Sequence, residues 1–376
     1  MEEQIEHKGI LWGTNKRVAQ YHIDRFEEFI AQSPERIKQL CTNDDGRLKH
    51  IARAEHFDKN FIDIIYKTAH AARKMGKLPG NSFLSSLFPY KAAMNFFKQP
   101  SSRTLLSFYR AEGILGMDRI NINDITTSSQ YKGESDSDSL RTTSSYFDVV
   151  VARHPSINFD LLGVYVAEMC SRDFRYINAG SGPGEHPTQG LLDVYTISES
   201  FGGNLDHKVI AFVGDCLRGR TIHSLAKIMS IYEGTEIYFV APEELQIDPE
   251  TERYVKEKGV VIHKETGSLK DIAPLTDIVY MTRIQNEHGG DGEYNPKFIF
   301  DQRILDSMRE DAIEMHPLPK REEIAPELDI SKDPRIMHWR EMRNGMWTRV
   351  AILSYLFGVD EQIREVSDRM DAAIKK

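Results

Sequence analysis

Apolar and polar positions fall in blocks along this chain, some with a helical period and some with a strand period. Over residues 21–40 the apolar residues Ile23, Phe26, Phe29, Ile30 and Ile37 recur at roughly helical spacing, and the run closes at Thr42-Asn43-Asp44-Asp45-Gly46. A second helical pattern covers 57–75 and stops at Gly76 and Pro79-Gly80. From there the pattern alternates. Strands are predicted over 92–97, 118–122 and 148–152, with helices over 103–113 and 136–146. The second half repeats the rhythm, with strands over 208–213, 236–240, 260–262 and 277–282 and a helix over 221–232. Strands alternating with helices of this length imply βαβ units and parallel sheets covered on both faces. A helix over 188–201, running into Gly202-Gly203-Asn204, reads as the hinge between two such lobes, and 346–376 reads as a helical tail.

Four segments rich in anion-binding groups lie at predicted strand-to-helix turns, where open α/β sheets collect ligands. Pro100-Ser101-Ser102-Arg103-Thr104 offers three hydroxyls, a guanidinium and the amide end of a helix, a phosphate cradle without a P-loop. The plainer alternative is a serine N-cap with Arg103 on the surface. Arg153-His154-Pro155 follows the strand over 148–152 and can aim a guanidinium into the same crevice, or serve a structural ion pair. Gly180-Ser181-Gly182-Pro183-Gly184-Glu185-His186-Pro187-Thr188-Gln189 is a glycine-rich loop leading into a helix. Its His186 is placed to donate to a developing oxyanion and Gln189 to bind an amide. Gly214-Asp215-Cys216-Leu217-Arg218-Gly219-Arg220 lacks the G-x-G-x-x-G of dinucleotide folds, and Arg220 suits a carboxylate ligand; Arg283 and Gln285 repeat the theme.

Composition narrows the choices. The 376 residues exceed what one core usually holds, so two cores are expected. Forty-eight Lys and Arg against 57 Asp and Glu give a net charge of −9, which argues against a nucleic-acid or anionic-membrane partner. Three cysteines are too few for a disulfide framework. The 13 His and 3 Cys show no C-x-x-C or H-E-x-x-H spacing, so no metal is expected, and there is no G-x-S-x-G nucleophile elbow. The opening residues have neither a basic region nor an apolar stretch, and the expectation is a cytoplasmic protein.

Taken together the motifs are similar to those of a known family. Ser101-Ser102-Arg103-Thr104 resembles the Ser-Thr-Arg-Thr carbamoyl phosphate signature of the aspartate/ornithine carbamoyltransferases. Lys132-Gly133-Glu134-Ser135, Arg153-His154-Pro155, His186-Pro187-Thr188-Gln189 and His316-Pro317-Leu318-Pro319 follow in that family's order, from about His50 to Phe357. His-Pro-Leu-Pro and Thr282-Arg283-Ile284-Gln285 resemble the aspartate-using branch.

The resemblance implies two three-layer α/β lobes joined by interdomain helices, with the active site in the cleft. It divides the chain into an N-terminal helical extension (1–45), a carbamoyl phosphate domain (46–193, completed by 345–376) and an aspartate domain (194–344). It implies cofactor-free transfer of a carbamoyl group from carbamoyl phosphate to the α-amine of L-aspartate, an early step of pyrimidine synthesis. Ser101, Ser102, Arg103 and Thr104 would bind phosphate. Arg153, Thr104 and His186 would hold the carbonyl oxygen, and Gln189 the carbamoyl amide. Arg220 would take the α-carboxylate, Arg283 and Gln285 the side-chain carboxylate, and the carbonyls of Leu318 and Pro319 would face the reacting nitrogens. Ser128 and Lys132 would reach a neighbouring subunit's site, making a homotrimer with shared sites, with regulatory chains as further possible partners.

The chain departs from the pattern at Ser102 (usually threonine), Leu105 (usually arginine), Gln99 (a lobe-bridging glutamate in well-known members) and His288 (an arginine partner). A different amino-acid acceptor, or a non-catalytic homologue, stays open from sequence alone.

Overall fold

The computed structural model describes residues 4–78, 82–122, 133–169, 173–283 and 295–374. Two compact units divide the chain: Met1–Thr188 with Met346–Lys376, and Gln189–Gly345.

In the first unit the order is β1 (Glu6–His7), β2 (Ile10–Leu11), α1 (Lys16–Ile30), α2 (Pro34–Leu40), β3 (His50–Ile51), α3 (Lys59–Met75), β4 (Ala92–Phe97) and α4 (Ser102–Ile114). It continues with β5 (Asp118–Ile122), α5 (Asp136–Tyr146), β6 (Val149–His154), α6 (Phe159–Met169) and β7 (Arg175–Ser181). Helix α7 (Pro187–Ser200) carries the chain into the second unit. That unit holds β8 (Val209–Val213), α8 (Arg220–Met229), β9 (Glu236–Val240), α9 (Pro249–Glu257), β10 (Val261–Glu265), α10 (Leu269–Ile272), β11 (Ile278–Met281), α11 (Gln302–Ser307) and β12 (Ile313–Met315). Helix α12 (His338–Leu356) returns to the first unit, and α13 (Asp360–Ile374) packs there on α3.

Each unit is built on five parallel strands, ordered β3-β7-β6-β4-β5 in the first and β10-β9-β8-β11-β12 in the second. The central strands are buried along their whole length, β6 over six residues and β11 over four, as sheets covered on both faces require. In both sheets the strand order reverses at one place, between β4 and β6 and between β8 and β11. These switch points leave crevices at the strands' carboxyl ends.

Several expectations change. The single helix over 21–40 is two, because Ser33 caps a new start and Pro34 takes its first position, where its missing N–H costs nothing. The strand predicted over 148–152 extends to His154, so Arg153 lies in the strand and not after it. The C-terminal helix begins at His338, eight residues before the predicted 346. The first 45 residues are not helical throughout: β1 and β2 form a hairpin. They pack on the first unit, with Phe26 and Phe29 edge-on to Tyr165 of α6 at 5.7 and 5.3 Å. Among the described residues no helix is long and apolar enough to cross a membrane.

A buried carboxyl under the first sheet gives a pH-dependent stability. Glu112 of α4 is fully buried and accepts from Asn95 Nδ2 of β4 at 2.9 Å. Burial pushes its pKa up to about 7, against the opposing pull of Asn95 and Arg119. The folded value lies above the unfolded one, so the contribution is complete below the ordinary carboxyl range and is lost as pH rises through about 7. Glu112→Gln should therefore stabilise the chain by about 1–3 kcal/mol at pH 8 and change little at pH 5. Denaturant midpoints at the two pH values read this directly, and an equal effect at both would contradict it.

Candidate active site

Strands β7, β6 and β4 are neighbours, so their carboxyl ends emerge side by side. Phe97, the last residue of β4, lies opposite Arg153 in the ladder, and Lys98 N donates to Arg153 O at 2.9 Å. The register slips between Ala152 and His154, where Arg153 sits, and Arg153 Nη1 donates to Ala179 O at 3.1 Å. The chain then turns into α4. Ser101 stands at the N-cap in extended backbone, yet its hydroxyl does not cap the helix and instead donates to Thr104 Oγ1 at 3.0 Å. The helix's first amides and its dipole thus face the ligand side. Ser102 and Arg103 are exposed at this helix start, and Thr104 is buried.

Beyond β7 the glycine loop delivers His186 to the same place. Gly182 has φ +46°, and a Cβ there would lie 2.7 Å from Pro155 O, so only glycine fits. Glu185 accepts from Ala54 N at 2.6 Å and pins the loop. His186 is buried, its Nε2 3.4 Å from Thr104 Oγ1 and its Nδ1 3.3 Å from Thr188 Oγ1. Hydroxyls and an imidazole therefore meet at the first switch point, with the Arg153 guanidinium at the neighbouring strand end and Arg103 exposed at the helix start. A phosphate with an adjoining carbonyl fits that set.

In the second unit the ends of β8 and β11 carry the other candidates. Thr282 N and Oγ1 both donate to Val213 O at 2.9 Å, and a Cβ on Gly214 would come within 2.2 Å of Thr282 O. Arg220 is the first residue of α8, and Arg283 follows β11 by two residues, near enough for its charge to act on Arg220. Both are half-buried. Burial first, and the charge of Arg283 second, bring the Arg220 guanidinium down to about 10. Two like charges held together at a switch point make a seat for a dianion. Arg218 serves differently: Asp215 accepts from its backbone N and its Nε at 3.0 and 2.9 Å.

Gln189 is nine-tenths buried and points into a carboxyl cluster that sequence reading missed. Its Nε2 donates to Asp193 Oδ1 at 2.9 Å and lies 3.5 Å from Glu341 Oε1. Tyr280 donates to Asp193 Oδ2 at 2.8 Å, and Glu341 Oε2 accepts from His316 N at 3.0 Å. Burial, then the neighbouring Asp193, push the Glu341 carboxyl well above its ordinary range. With both amide hydrogens of Gln189 turned toward carboxyl oxygens, its Oε1 is left as an acceptor for a ligand N–H. The cluster joins residues nearly 150 positions apart, and no local pattern announces it.

His316 also shapes the turn that follows. Its Nδ1 accepts from Leu318 N at 2.8 Å, so Nε2 carries the hydrogen and donates to Glu323 at 2.8 Å. Leu318 has φ +57° and precedes a cis peptide bond to Pro319, and both residues lie at the surface side of the turn. Ser128, Lys132, Gln285 and His288 lie outside the described residues.

Residues 49–199 match the family model for the aspartate/ornithine carbamoyltransferase carbamoyl-P binding domain, and residues 206–356 match that for its Asp/Orn binding domain. The chain belongs to the aspartate/ornithine carbamoyltransferase family. Within this carbamoyltransferase chain, Ser101–Thr104, Arg153, His186 and Gln189 fall in the first matched stretch, and Arg220, Arg283, Leu318 and Pro319 in the second. Aspartate carbamoyltransferase 1, chloroplastic, of Pisum sativum is 37% identical over 316 residues, covering 82% of this chain and 79% of its own. The aspartate carbamoyltransferase catalytic subunit of Methanocella arvoryzae is 38% identical over 322 residues, covering 83% and 98%. Crystal structures of aspartate transcarbamoylase from Trypanosoma cruzi superpose with a TM-score of 0.72 at 32% identity. One, in complex with aspartate and phosphate, covers 84% of this chain and 95% of that one. Another, in complex with carbamoyl phosphate, covers 81% and 94%.

Proposed function

We propose that the chain is an aspartate carbamoyltransferase, forming N-carbamoyl-L-aspartate and phosphate from carbamoyl phosphate and L-aspartate. The observation that carries this reading is the Arg220–Arg283 pair. An acceptor with two carboxylates relieves the repulsion between them, whereas the side-chain ammonium of ornithine would add to it. The ligands of the Trypanosoma cruzi structures support the same reaction.

The donor is already activated, so the protein's task is placement and charge stabilisation. The amine nitrogen of aspartate bonds to the carbamoyl carbon, the bond from that carbon to the phosphate oxygen breaks, and the amine proton leaves with the phosphate. Ser101, Ser102, Arg103 and Thr104 hold the phosphate. Thr104, Arg153 and His186 hold the carbonyl oxygen as charge grows on it, and Gln189 Oε1 accepts from the carbamoyl N–H. The backbone carbonyls of Leu318 and Pro319 accept hydrogen bonds near the carbamoyl nitrogen and the amine. Arg220 takes the α-carboxylate, and Arg283 with Gln285 the side-chain carboxylate. The reading extends to a homotrimer in which Ser128 and Lys132 serve a neighbouring site, open to regulatory chains; mass in solution tests the trimer. The cytoplasm is the proposed compartment, where the buried thiols Cys41 and Cys216 stay reduced; the pea relative is named as chloroplastic, and fractionation decides.

The reaction itself is tested by mixing the chain with both substrates. N-carbamoyl-L-aspartate and phosphate should appear one for one, and phosphate release without the carbamoylated product would sink the proposal. The carboxyl cluster adds a sharper expectation. Glu341→Gln keeps an acceptor for His316 N and a donor for Asp193, so kcat and the carbamoyl phosphate KM should stay within about threefold. Glu341→Leu leaves His316 N without its acceptor and Asp193 without its neighbouring donor, so that KM should rise about tenfold or more. Equal damage from both variants would mean that Glu341 acts as an anion.

A further inference from the structure

The residues before position 49 lie ahead of both family models, and the hairpin among them touches the loop after β6 and the start of α5. The hairpin turns through Lys8 and Gly9, at φ 51° and 74°, and buries Trp12 against Phe26 with ring centroids 5.5 Å apart. Besides α1, it contacts the loop after β6 and the start of α5. Lys8 O accepts from Ser156 Oγ at 2.7 Å. Leu11 N donates to Asp136 Oδ2 at 2.8 Å. Thr14 lies so close to Gly133 that a Cβ there would come within 2.9 Å of Thr14 Cγ2.

Asp136 is the centre of this arrangement. It is fully buried, and its other oxygen takes the ammonium of Lys98, which is itself 7% exposed. His154 Nδ1 accepts from Ser156 N at 3.1 Å, so its Nε2 carries the hydrogen, 3.7 Å from the same carboxylate. Burial, then Lys98, hold His154 far below its ordinary range and keep it neutral. The ion pair therefore consists of Lys98 and Asp136, solvated by the Leu11 amide and flanked by a neutral imidazole. Lys98 and Gln99 both donate through their backbone N to Arg153 O, at 2.9 and 3.4 Å, and Ser101 follows two residues later. A buried ion pair holds its geometry only while its remaining lone pairs are satisfied and water is kept out.

We propose that the N-terminal hairpin is a positioning element for the donor site: by completing the Asp136–Lys98 pair it fixes where β4 and β6 present Ser101–Thr104 and Arg153. This rests on the roles given to those residues above. Loss of the hairpin frees Asp136 from the Leu11 amide and lets water reach the pair, and the phosphate ligands lose their spacing. Misplacement of about 1 Å by a remote change can cost up to about 10²-fold.

The test compares the full chain with a chain lacking residues 2–14 and with Asp136→Asn. Asp136→Asn keeps an oxygen for Leu11 N and removes the counter-charge of Lys98, so it answers the question if the truncated chain fails to fold. Both variants should raise the carbamoyl phosphate KM about tenfold and weaken inorganic phosphate binding, read by calorimetry, in parallel, with the aspartate KM unchanged within about twofold. Folded variants with parental phosphate affinity would overturn the inference, as would equal shifts for both substrates. A full chain without carbamoyl transfer would instead sink the functional reading, and the phosphate titration would still decide this one.

Discussion

His186→Ala should lower kcat for carbamoyl transfer by about 10²–10³-fold, the usual effect of removing one donor from an oxyanion site. The side chain is buried at the end of the glycine loop, and its two nitrogens lie 3.4 and 3.3 Å from the hydroxyls of Thr104 and Thr188. Those hydroxyls fix the ring plane, so a carbonyl oxygen beside Thr104 meets a ring already oriented. Stabilisation of this kind grows as charge develops on the oxygen, which places the loss in kcat and not in substrate affinity. Inorganic phosphate, which has no carbamoyl carbonyl, should bind the variant as it binds the parent. Steady-state kinetics with phosphate titration separates the cases. A phosphate affinity falling as far as kcat would mean that the loop has collapsed and that His186 is structural.

Arg220→Ala and Arg283→Ala should each raise the aspartate KM by roughly 30- to 5,000-fold, the effect of losing about 2–5 kcal/mol when one partner of a desolvated, hydrogen-bonded charge pair is truncated. The carbamoyl phosphate KM should stay near its parental value. The substrate-free protein should behave in the opposite sense. Burial, and after it the charge of Arg283, bring the Arg220 guanidinium down to about 10, so removing either relieves an unfavourable placement of charge and the melting temperature should hold or rise. Such a stability gain at the expense of binding is the mark of a site strained for its ligand. A melting temperature that falls with an unchanged aspartate KM would assign the two arginines to the fold.

Most of the architecture is legible in the sequence because βαβ units leave a strong signature, strand-sized apolar runs separated by helical periods. The misses have physical causes. Strand β7 escaped because Asn178 breaks its apolar run and Gly180 opens the glycine-rich loop. In the structure Asn178 is buried, donating to Ala52 O and Ser181 Oγ and accepting from Gly180 N, so the strand carries its own polar residue without penalty. Helix α6 escaped because it is buried on nearly every face and shows no period. The anion-binding residues were legible because they lie at or just beyond the carboxyl ends of strands, at the turns into the next helix. Their supports were not. Asp193 with Glu341, and Lys98 with Asp136, meet only after the chain has folded, and each alone reads as an ordinary charged residue.

The most direct measurement is the initial rate from carbamoyl phosphate with aspartate, ornithine, N-acetylornithine and glutamate as separate acceptors. The account predicts fast turnover with aspartate. It predicts little with glutamate, whose extra methylene displaces one carboxylate from the Arg220–Arg283 seat, and none with the two ornithine compounds. Turnover that favours ornithine or N-acetylornithine over aspartate would contradict it.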